Sequence, residues 1–69
     1  MKRYNYDIKL VDFGRRLDLT LKEYFKDLSR NYIISLIRLG KVKVNEKIIY
    51  LPSYKIKSYG FIELSVEES

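Results

Sequence analysis

The fold of this 69-residue chain is decided between residues 28 and 45, which read LSRNYIISLIRLGKVKVN. In the first part of this stretch, apolar residues recur at helical spacing and form one face: Ile33, Leu36 and Ile37. Gly40 ends the pattern, because glycine best tolerates the left-handed conformation that closes a helix. Beyond it, valines alternate with lysines at the period of a strand. The stretch therefore predicts a helix over about 30–39 followed directly by a β-strand.

A second helical pattern lies just upstream, over roughly residues 16 to 28. Its apolar residues fall on one face of the predicted helix: Leu17, Leu21, Tyr24, Phe25 and Leu28. Ser29 separates the two patterns, and its side chain can accept a hydrogen bond from a free backbone N–H as the N-cap of the second helix. The sequence thus predicts two short helices in succession.

The rest of the chain alternates with the period of a β-strand. A turn at Asn45 and Glu46 joins the first strand to a second one, and residues 61–66 alternate apolar and polar side chains as a closing strand. Residues 6–13 alternate in part and predict a short edge strand or extended arm. The predicted fold class is α+β, with two short helices packed on a small antiparallel sheet.

Composition excludes most catalytic chemistry. The chain is long enough for one small domain only, and it contains no cysteine and no histidine. Disulfide scaffolds, thiolate or imidazole zinc sites, cysteine nucleophiles and Ser-His-Asp triads are therefore excluded. No apolar run approaches the roughly 18 residues of a membrane span, and no apolar stretch follows the first basic residues as in a signal peptide. We expect a cytoplasmic protein with no membrane partner.

The charge is positive and unevenly distributed. The chain has a net charge of +5, but residues 14–57 carry eleven Lys and Arg against four Asp and Glu, which leaves +7. Arg30, Arg38 and Lys41 fall within one quadrant opposite the apolar face of the second helix. The hairpin valines are expected to face the helices and its lysines to face water, which extends this positive surface. Such a surface favours a polyanionic partner, although a merely solvated lysine-rich surface has the same composition.

The ordered set of motifs resembles the S4 RNA-binding domain, and in particular the N-terminal S4 module of bacterial large-subunit pseudouridine synthases. The resemblance covers about residues 14–66 and is carried by these segments: Gly14-Arg15-Arg16-Leu17-Asp18, Leu21, Leu28-Ser29-Arg30, Ile37, Gly40-Lys41-Val42-Lys43-Val44-Asn45 and Pro52-Ser53. Two positions depart from the family pattern. Glu46 replaces the usual glycine of the hairpin turn, and Tyr59-Gly60 replaces the usual Gly-Asp before the last strand.

The resemblance implies an S4-like α+β fold (the alpha-L motif) and an RNA surface on the two helices and the loop into the hairpin. We expect an N-terminal strand or arm at 1–13, the RNA-binding domain at 14–66 and an acidic tail at 67–69. The expected partner is structured RNA, in particular ribosomal RNA. We expect a monomer with no metal, cofactor or small-molecule ligand. The predicted RNA contacts are Arg16, Ser29, Arg30, Asn31, Arg38, Lys41, Lys43, Asn45 and Lys47.

One motif could be mistaken for a catalytic site. Arg16-Leu17-Asp18 followed by Thr20 looks like the catalytic Arg-Leu-Asp segment of pseudouridine synthases, whose aspartate attacks the nucleotide. In this chain Asp18 falls in the first turn of a predicted helix, where a carboxylate interacts favourably with the helix dipole. We therefore predict a structural role for Asp18 and no catalytic residue in this chain.

Three functions remain open on the sequence. The expected one is a non-catalytic module that docks its parent, a large-subunit pseudouridine synthase, on ribosomal RNA. A free-standing S4 protein acting on ribosomes or stalled subunits is the alternative, and a reading frame that stops at Ser69 would favour it. The third is a basic domain that binds an acidic protein, whose binding would survive ribonuclease treatment.

Overall fold

A computed structural model describes residues 2–66 as two helices packed against one four-stranded antiparallel sheet. The elements are β1 (Lys2–Asp7), α1 (Leu17–Tyr24), α2 (Arg30–Arg38), β2 (Val42–Val44), β3 (Lys47–Ile48) and β4 (Phe61–Val66). The sheet order is β1-β4-β2-β3, so the last strand of the chain pairs with both the first strand and the hairpin. The α+β class predicted from the sequence is confirmed. The predicted acidic tail at 67–69 lies outside the described residues.

The inner face of the sheet and the apolar faces of both helices share one core. Val42 and Val44 of β2 are buried, whereas Lys43 between them is exposed. This confirms that the hairpin valines face the helices and that the intervening lysine faces water. The helices contribute most of the residues predicted from their spacing: Leu17, Leu21, Ile33, Leu36 and Ile37. Tyr24, also predicted on the apolar face of the first helix, is instead 38% exposed. Burial of these apolar side chains is the main source of stability for so small a domain.

The predicted N-terminal edge strand forms, but its predicted bounds of 6–13 are wrong. The first strand lies earlier, at Lys2–Asp7, and pairs with β4 along its full length. Leu10–Asp12 instead forms a single 3-10 turn, in which Leu10 is 68% exposed. The partial alternation of residues 6–13 was misleading because pairing with a central strand, rather than local pattern, determines where an edge strand forms.

A buried carboxylate fixes that 3-10 turn against β1. Asp12 is fully buried, and its Oδ2 accepts hydrogen bonds from the Tyr6 hydroxyl at 2.6 Å and from the Lys9 backbone N–H at 2.9 Å. Its Oδ1 has no hydrogen-bond partner among the described residues. Burial, together with the hydrogen bond to Asp12 and the adjacent Tyr24 side chain, raises the pKa of Tyr6 far above its ordinary value of 10.0. The tyrosine therefore stays a neutral donor.

Helix α1 is shorter than predicted and ends at Tyr24 rather than near residue 28. The Lys22 ammonium group donates hydrogen bonds to the backbone carbonyls of Lys26, at 3.1 Å, and of Leu28, at 2.7 Å. These bonds stabilise a turn in which the chain leaves the helix early. Phe25 and Leu28 still pack against the core, so the apolar pattern extends past the helix itself.

The hairpin turn between β2 and β3 keeps its tight geometry without the glycine usual in the family. Asn45 and Glu46 have φ values of 52° and 68°, the positive values that a two-residue hairpin turn of type I′ requires. The Asn45 side chain accepts a hydrogen bond from the Phe61 N–H at 2.9 Å and donates one to the Tyr59 carbonyl at 3.1 Å. A Cβ at Gly60 would lie 1.7 Å from Asn45 Oδ1, so only glycine fits beside this side chain.

Candidate nucleic-acid interface

Asp18 is the centre of a charged cluster where the first turns of α1 and α2 meet. Its carboxylate is fully buried and accepts hydrogen bonds from Arg16 Nε at 3.1 Å and Arg16 Nη2 at 3.0 Å. The Leu19 backbone N–H donates a further bond at 2.9 Å. Nη2 of Arg30, the first residue of α2, lies 3.8 Å from Asp18 Oδ2. One buried carboxylate thus holds Arg16 by two hydrogen bonds and forms a longer ion pair with Arg30, and we call these three residues the Asp18 cluster.

Both arginines of the Asp18 cluster keep donors available to solvent. Their side chains are 41% exposed for Arg16 and 53% exposed for Arg30. A guanidinium group carries five N–H donors, and Asp18 engages only the Nε and one Nη of Arg16. A guanidinium that is already held in place loses less side-chain entropy when it binds a phosphate. Arg16 is therefore a pre-positioned donor suited to phosphate, and the guanidinium of Arg30 lies beside it.

Ser29 begins α2 as predicted. Its Oγ accepts a hydrogen bond from the Tyr32 backbone N–H at 3.1 Å, which is the N-cap interaction. Asn31 is exposed and follows Arg30 in the first turn of the helix. The capping role of Ser29 is confirmed, while contact of either residue with RNA stays a prediction.

The remaining cationic candidates extend from the end of α2 onto the sheet. Arg38 in the last turn of α2, Lys43 on the outer face of β2 and Lys47 in β3 are exposed, and Lys41 is half-buried. Within residues 2–66, no carboxylate oxygen lies within 4 Å of the charged nitrogens of these four side chains. They are hydrated cations, which contribute to polyanion binding mainly through salt-dependent attraction.

The structure brings only some of the nine predicted contacts together. Arg16 and Arg30 meet at Asp18, and Lys41 and Lys43 line one cleft on the outer face of the sheet. Asn45 is occupied in holding the loop before β4, so its amide has a structural role whether or not it touches RNA. The sequence predicts that Asp18 interacts with the helix dipole, but it does not predict the pairing of Asp18 with the two arginines. Arg16, two residues before Asp18 in the sequence, was the one local sign that the carboxylate has a cationic partner.

Two other kinds of site find no support in the part of the chain that the structure describes. Residues 2–66 contain no group of three or more acidic, histidine or cysteine side chains that could hold a metal ion. Over the same residues, no helix has the length and apolar character needed to cross a bilayer.

Comparison with known proteins identifies the family. The model of the S4 domain matches residues 15–58, which include the Asp18 cluster, α2 and the hairpin. The chain is 46% identical over 43 residues to a protein of Buchnera aphidicola, and 34% identical over 61 residues to one of Haemophilus influenzae. A protein of Pasteurella multocida is 36% identical over 61 residues. All three relatives are named ribosomal large subunit pseudouridine synthase D.

The aligned segments cover 62% of this chain for the Buchnera protein and 88% for each of the other two. They cover only 14% of the first relative and 19% of the others, so the chain spans less than a fifth of their length. The family match includes more than half of the chain and coincides with the two helices and the hairpin. The chain therefore belongs to the S4 family of RNA-binding domains.

Proposed function

We propose that this chain is a non-catalytic module that docks on structured ribosomal RNA, as the N-terminal domain of a large-subunit pseudouridine synthase. The observation that carries the proposal is the Asp18 cluster, in which a buried carboxylate hydrogen-bonds Arg16 and pairs with Arg30 while both arginine side chains stay about half exposed. Phosphate oxygens accept hydrogen bonds from such arginines in pairs, which positions an RNA backbone with defined orientation.

The partner is inferred from two further observations. The charge of +7 over residues 14–57 matches a polyanion, and A-form RNA is recognised largely through its phosphates and riboses. The names of the three relatives indicate the large ribosomal subunit as the source of that RNA. The chemistry of uridine isomerisation would belong to the rest of such a protein, because the aspartate of the Arg-Leu-Asp motif is buried against arginine in this domain.

The proposal is tested by titrating the 69-residue chain against fragments of large-subunit ribosomal RNA at several salt concentrations. The test variant carries Arg30→Ala with Arg38→Ala, and the matched control carries Lys26→Ala with Lys57→Ala, which removes the same charge from two other exposed positions. With four to six phosphate contacts, the log-log salt slope should be about −3 to −5. We expect the test variant to lose at least about tenfold in affinity and the control to lose much less.

Equal losses in the two double variants would mean that net charge alone attracts RNA, and unchanged binding in the test variant would overturn the proposed surface. Retention of the partner after ribonuclease treatment of a cell extract would favour a protein ligand instead. The parent enzyme is tested separately by reading the gene beyond Ser69. A frame continuing for several hundred residues supports it, and a stop codon supports a free-standing S4 factor.

A further inference from the structure

The outer face of the sheet, away from the helices, carries a second basic surface. Side chains of a sheet alternate between faces, and Lys43 lies on the exposed face of β2. The strand register places Lys43 beside Glu63 of β4 and places Ser65 of β4 beside Arg3 of β1. The Ser65 backbone N–H also donates a hydrogen bond of 2.9 Å to the Lys41 carbonyl. These contacts define two rows of residues across the sheet.

The two rows differ in charge. In one row, the uncharged Ser65 lies between Arg3 and Lys41, so both neighbours are cations. In the adjacent row, Glu63 lies beside Lys43 on the neighbouring strand. These opposite charges attract each other and leave that row without net charge. The excess positive charge is therefore concentrated in the row centred on Ser65.

These rows line a cleft of about 210 Å³. Its walls are formed by Arg3, Gly40, Lys41, Lys43, Glu63 and Ser65. Neighbouring strands are about 4.8 Å apart, so the backbones of Arg3 and Lys41 are separated by roughly 10 Å. Their long side chains can both reach an anion that sits above Ser65, and the Ser65 hydroxyl can donate a hydrogen bond to it.

We propose that this cleft binds a phosphodiester group of the RNA, held by Arg3 and Lys41 above Ser65. The inference rests on the proposed RNA-binding function and deepens it, since it adds a contact surface on a different face of the domain from the Asp18 cluster. Arg3 and Ser65 both lie outside residues 15–58, the segment that matches the S4 model. The strand that precedes the matched segment therefore takes part in RNA binding and does more than complete the sheet.

Lys41 links the cleft to the helical surface. It follows Gly40, just after the end of α2. Arg38, three residues earlier in the last turn of that helix, is exposed to solvent. An RNA backbone that runs along α2 from Arg30 to Arg38 covers about 12 Å, at 1.5 Å per residue. Continued past Gly40, the same backbone would reach the cleft. The domain would then bind RNA on two adjoining faces.

The test measures RNA affinity of the 69-residue chain with Arg3→Ala, and with Arg3→Ala combined with Lys41→Ala. The matched control is Lys26→Ala, because Lys26 lines a separate groove with Tyr4, whose neighbour Arg3 points to the opposite face of β1. We expect Arg3→Ala to weaken binding about threefold to fivefold and the double variant about tenfold or more. Each lost phosphate contact should reduce the salt slope by about 0.7 to 0.9.

A second variant and a second measurement distinguish the loss of a contact from misfolding. Arg3→Lys keeps the charge, so it should restore the salt slope of the unaltered chain, and circular dichroism should show each variant folded. The backbone amide signal of Ser65 should shift when RNA is added and should stop shifting in the double variant. Loss of affinity in Lys26→Ala equal to that in Arg3→Ala would overturn the proposal.

The outcomes separate this inference from the proposed function. If Arg3→Ala binds as the unaltered chain does while Arg30→Ala with Arg38→Ala loses binding, the cleft is not a contact and the proposed function stands. If the unaltered chain does not bind ribosomal RNA at low salt, both are overturned. If both sets of variants lose affinity and salt dependence, the RNA surface extends from the helices across the sheet.

Discussion

Asp12 and Asp18 are both fully buried, yet their surroundings differ. Asp18 accepts hydrogen bonds from the guanidinium of Arg16 and lies near that of Arg30, and both arginines extend to the surface. Asp12 bonds instead to the Tyr6 hydroxyl and one backbone N–H, and no cationic group of residues 2–66 lies within 4 Å of it. A buried carboxylate is costly unless it is paired or hydrogen-bonded. Asp18 is compensated by charge pairing and hydrogen bonds, whereas Asp12 is compensated only in part, since its Oδ1 has no partner among the described residues.

This difference indicates a purely structural role for Asp12 and a role in ligand binding for Asp18. The partners of Asp12 are internal, so its network does no more than fasten the 3-10 turn to β1. The partners of Asp18 are half-exposed cations, so the same kind of buried anchor fixes the geometry of groups that can touch a ligand. Disturbing the Asp18 cluster should therefore alter both stability and RNA affinity, whereas disturbing the Asp12 network should alter stability alone.

The largest effect is expected from Asp18→Ala. The change leaves the Leu19 N–H without its acceptor, releases Arg16 from its two hydrogen bonds and removes the carboxylate that Arg30 faces. We expect a loss of about 2 to 3 kcal/mol in the free energy of unfolding, measured by urea denaturation, because charged hydrogen bonds are lost at a buried site. RNA affinity of the folded fraction should fall about tenfold. Full RNA affinity in a folded Asp18→Ala chain would show that the arginines need no anchor.

Tyr6→Phe provides the contrasting case. Removing the hydroxyl deprives the buried Asp12 carboxylate of its 2.6 Å donor, and we expect a loss of about 2 kcal/mol at pH 7. Under conditions where the variant is fully folded, its RNA affinity should stay unchanged. Tyr6 contacts neither the Asp18 cluster nor the cleft lined by Arg3, Lys41 and Ser65. A drop in affinity matching that of Asp18→Ala would remove the distinction between the two anchors.

The same substitution should change the pH dependence of stability. Because the pKa of Tyr6 is raised in the folded state, the folded chain keeps its proton while the unfolded chain releases it above about pH 10. The contribution of Tyr6 is thus fully present below pH 10 and is lost as pH rises further. Between pH 10 and 11.5, the unaltered chain should lose up to about 1.4 kcal/mol per pH unit more than Tyr6→Phe does. If the free energies of unfolding of the two chains, measured by urea denaturation, changed equally with pH, the Tyr6 hydroxyl would not stay neutral in the folded chain as expected.

Arg16→Lys tests whether geometry or charge matters in the Asp18 cluster. Lysine keeps the charge but cannot supply the paired Nε and Nη2 bonds to Asp18. We expect a loss of about 1 kcal/mol in stability and about threefold in RNA affinity, with the salt slope unchanged. The matched control is Arg38→Lys, because Arg38 has no carboxylate within 4 Å among the described residues. That variant should differ little from the unaltered chain in either measurement.

The smallest effect is expected from Lys47→Ala. Lys47 is exposed in the two-residue strand β3 and lies at the edge of the sheet. Its removal should change the free energy of unfolding by no more than about 0.5 kcal/mol and RNA affinity by about twofold at low salt. The loss should disappear at high salt, because an unanchored surface cation acts through screened attraction. A salt-independent loss would indicate a specific contact instead.

Local pattern was sufficient for the helices and the hairpin. The spacing of Leu17 and Leu21, the position of Ser29 and the valines around Lys43 predicted elements that the structure confirms, since helical and strand periodicities dictate which side chains one face can bury. The early end of α1 was not predictable from this spacing, because Phe25 and Leu28 pack on the core from a turn.

The first strand and the charged sites depended on contacts between distant parts of the chain. Lys2–Asp7 has no strong alternation of its own and forms a strand because β4, about sixty residues later, offers its edge. The basic cleft likewise joins Arg3 to Lys41 and Ser65, which no local spacing relates. Such sites are invisible to periodicity, because backbone pairing between distant segments places their side chains together.

Periodicity and residue type were enough to predict the α+β class, the two helices, the hairpin, the positive charge and the exclusion of histidine and cysteine chemistry. Which charges act together depends on how the chain packs. Asp18 became an anchor because folding buried it against Arg16 and brought Arg30 within 3.8 Å. Burial strengthens electrostatic pairing by excluding water, and burial is a property of the packed chain rather than of any short segment.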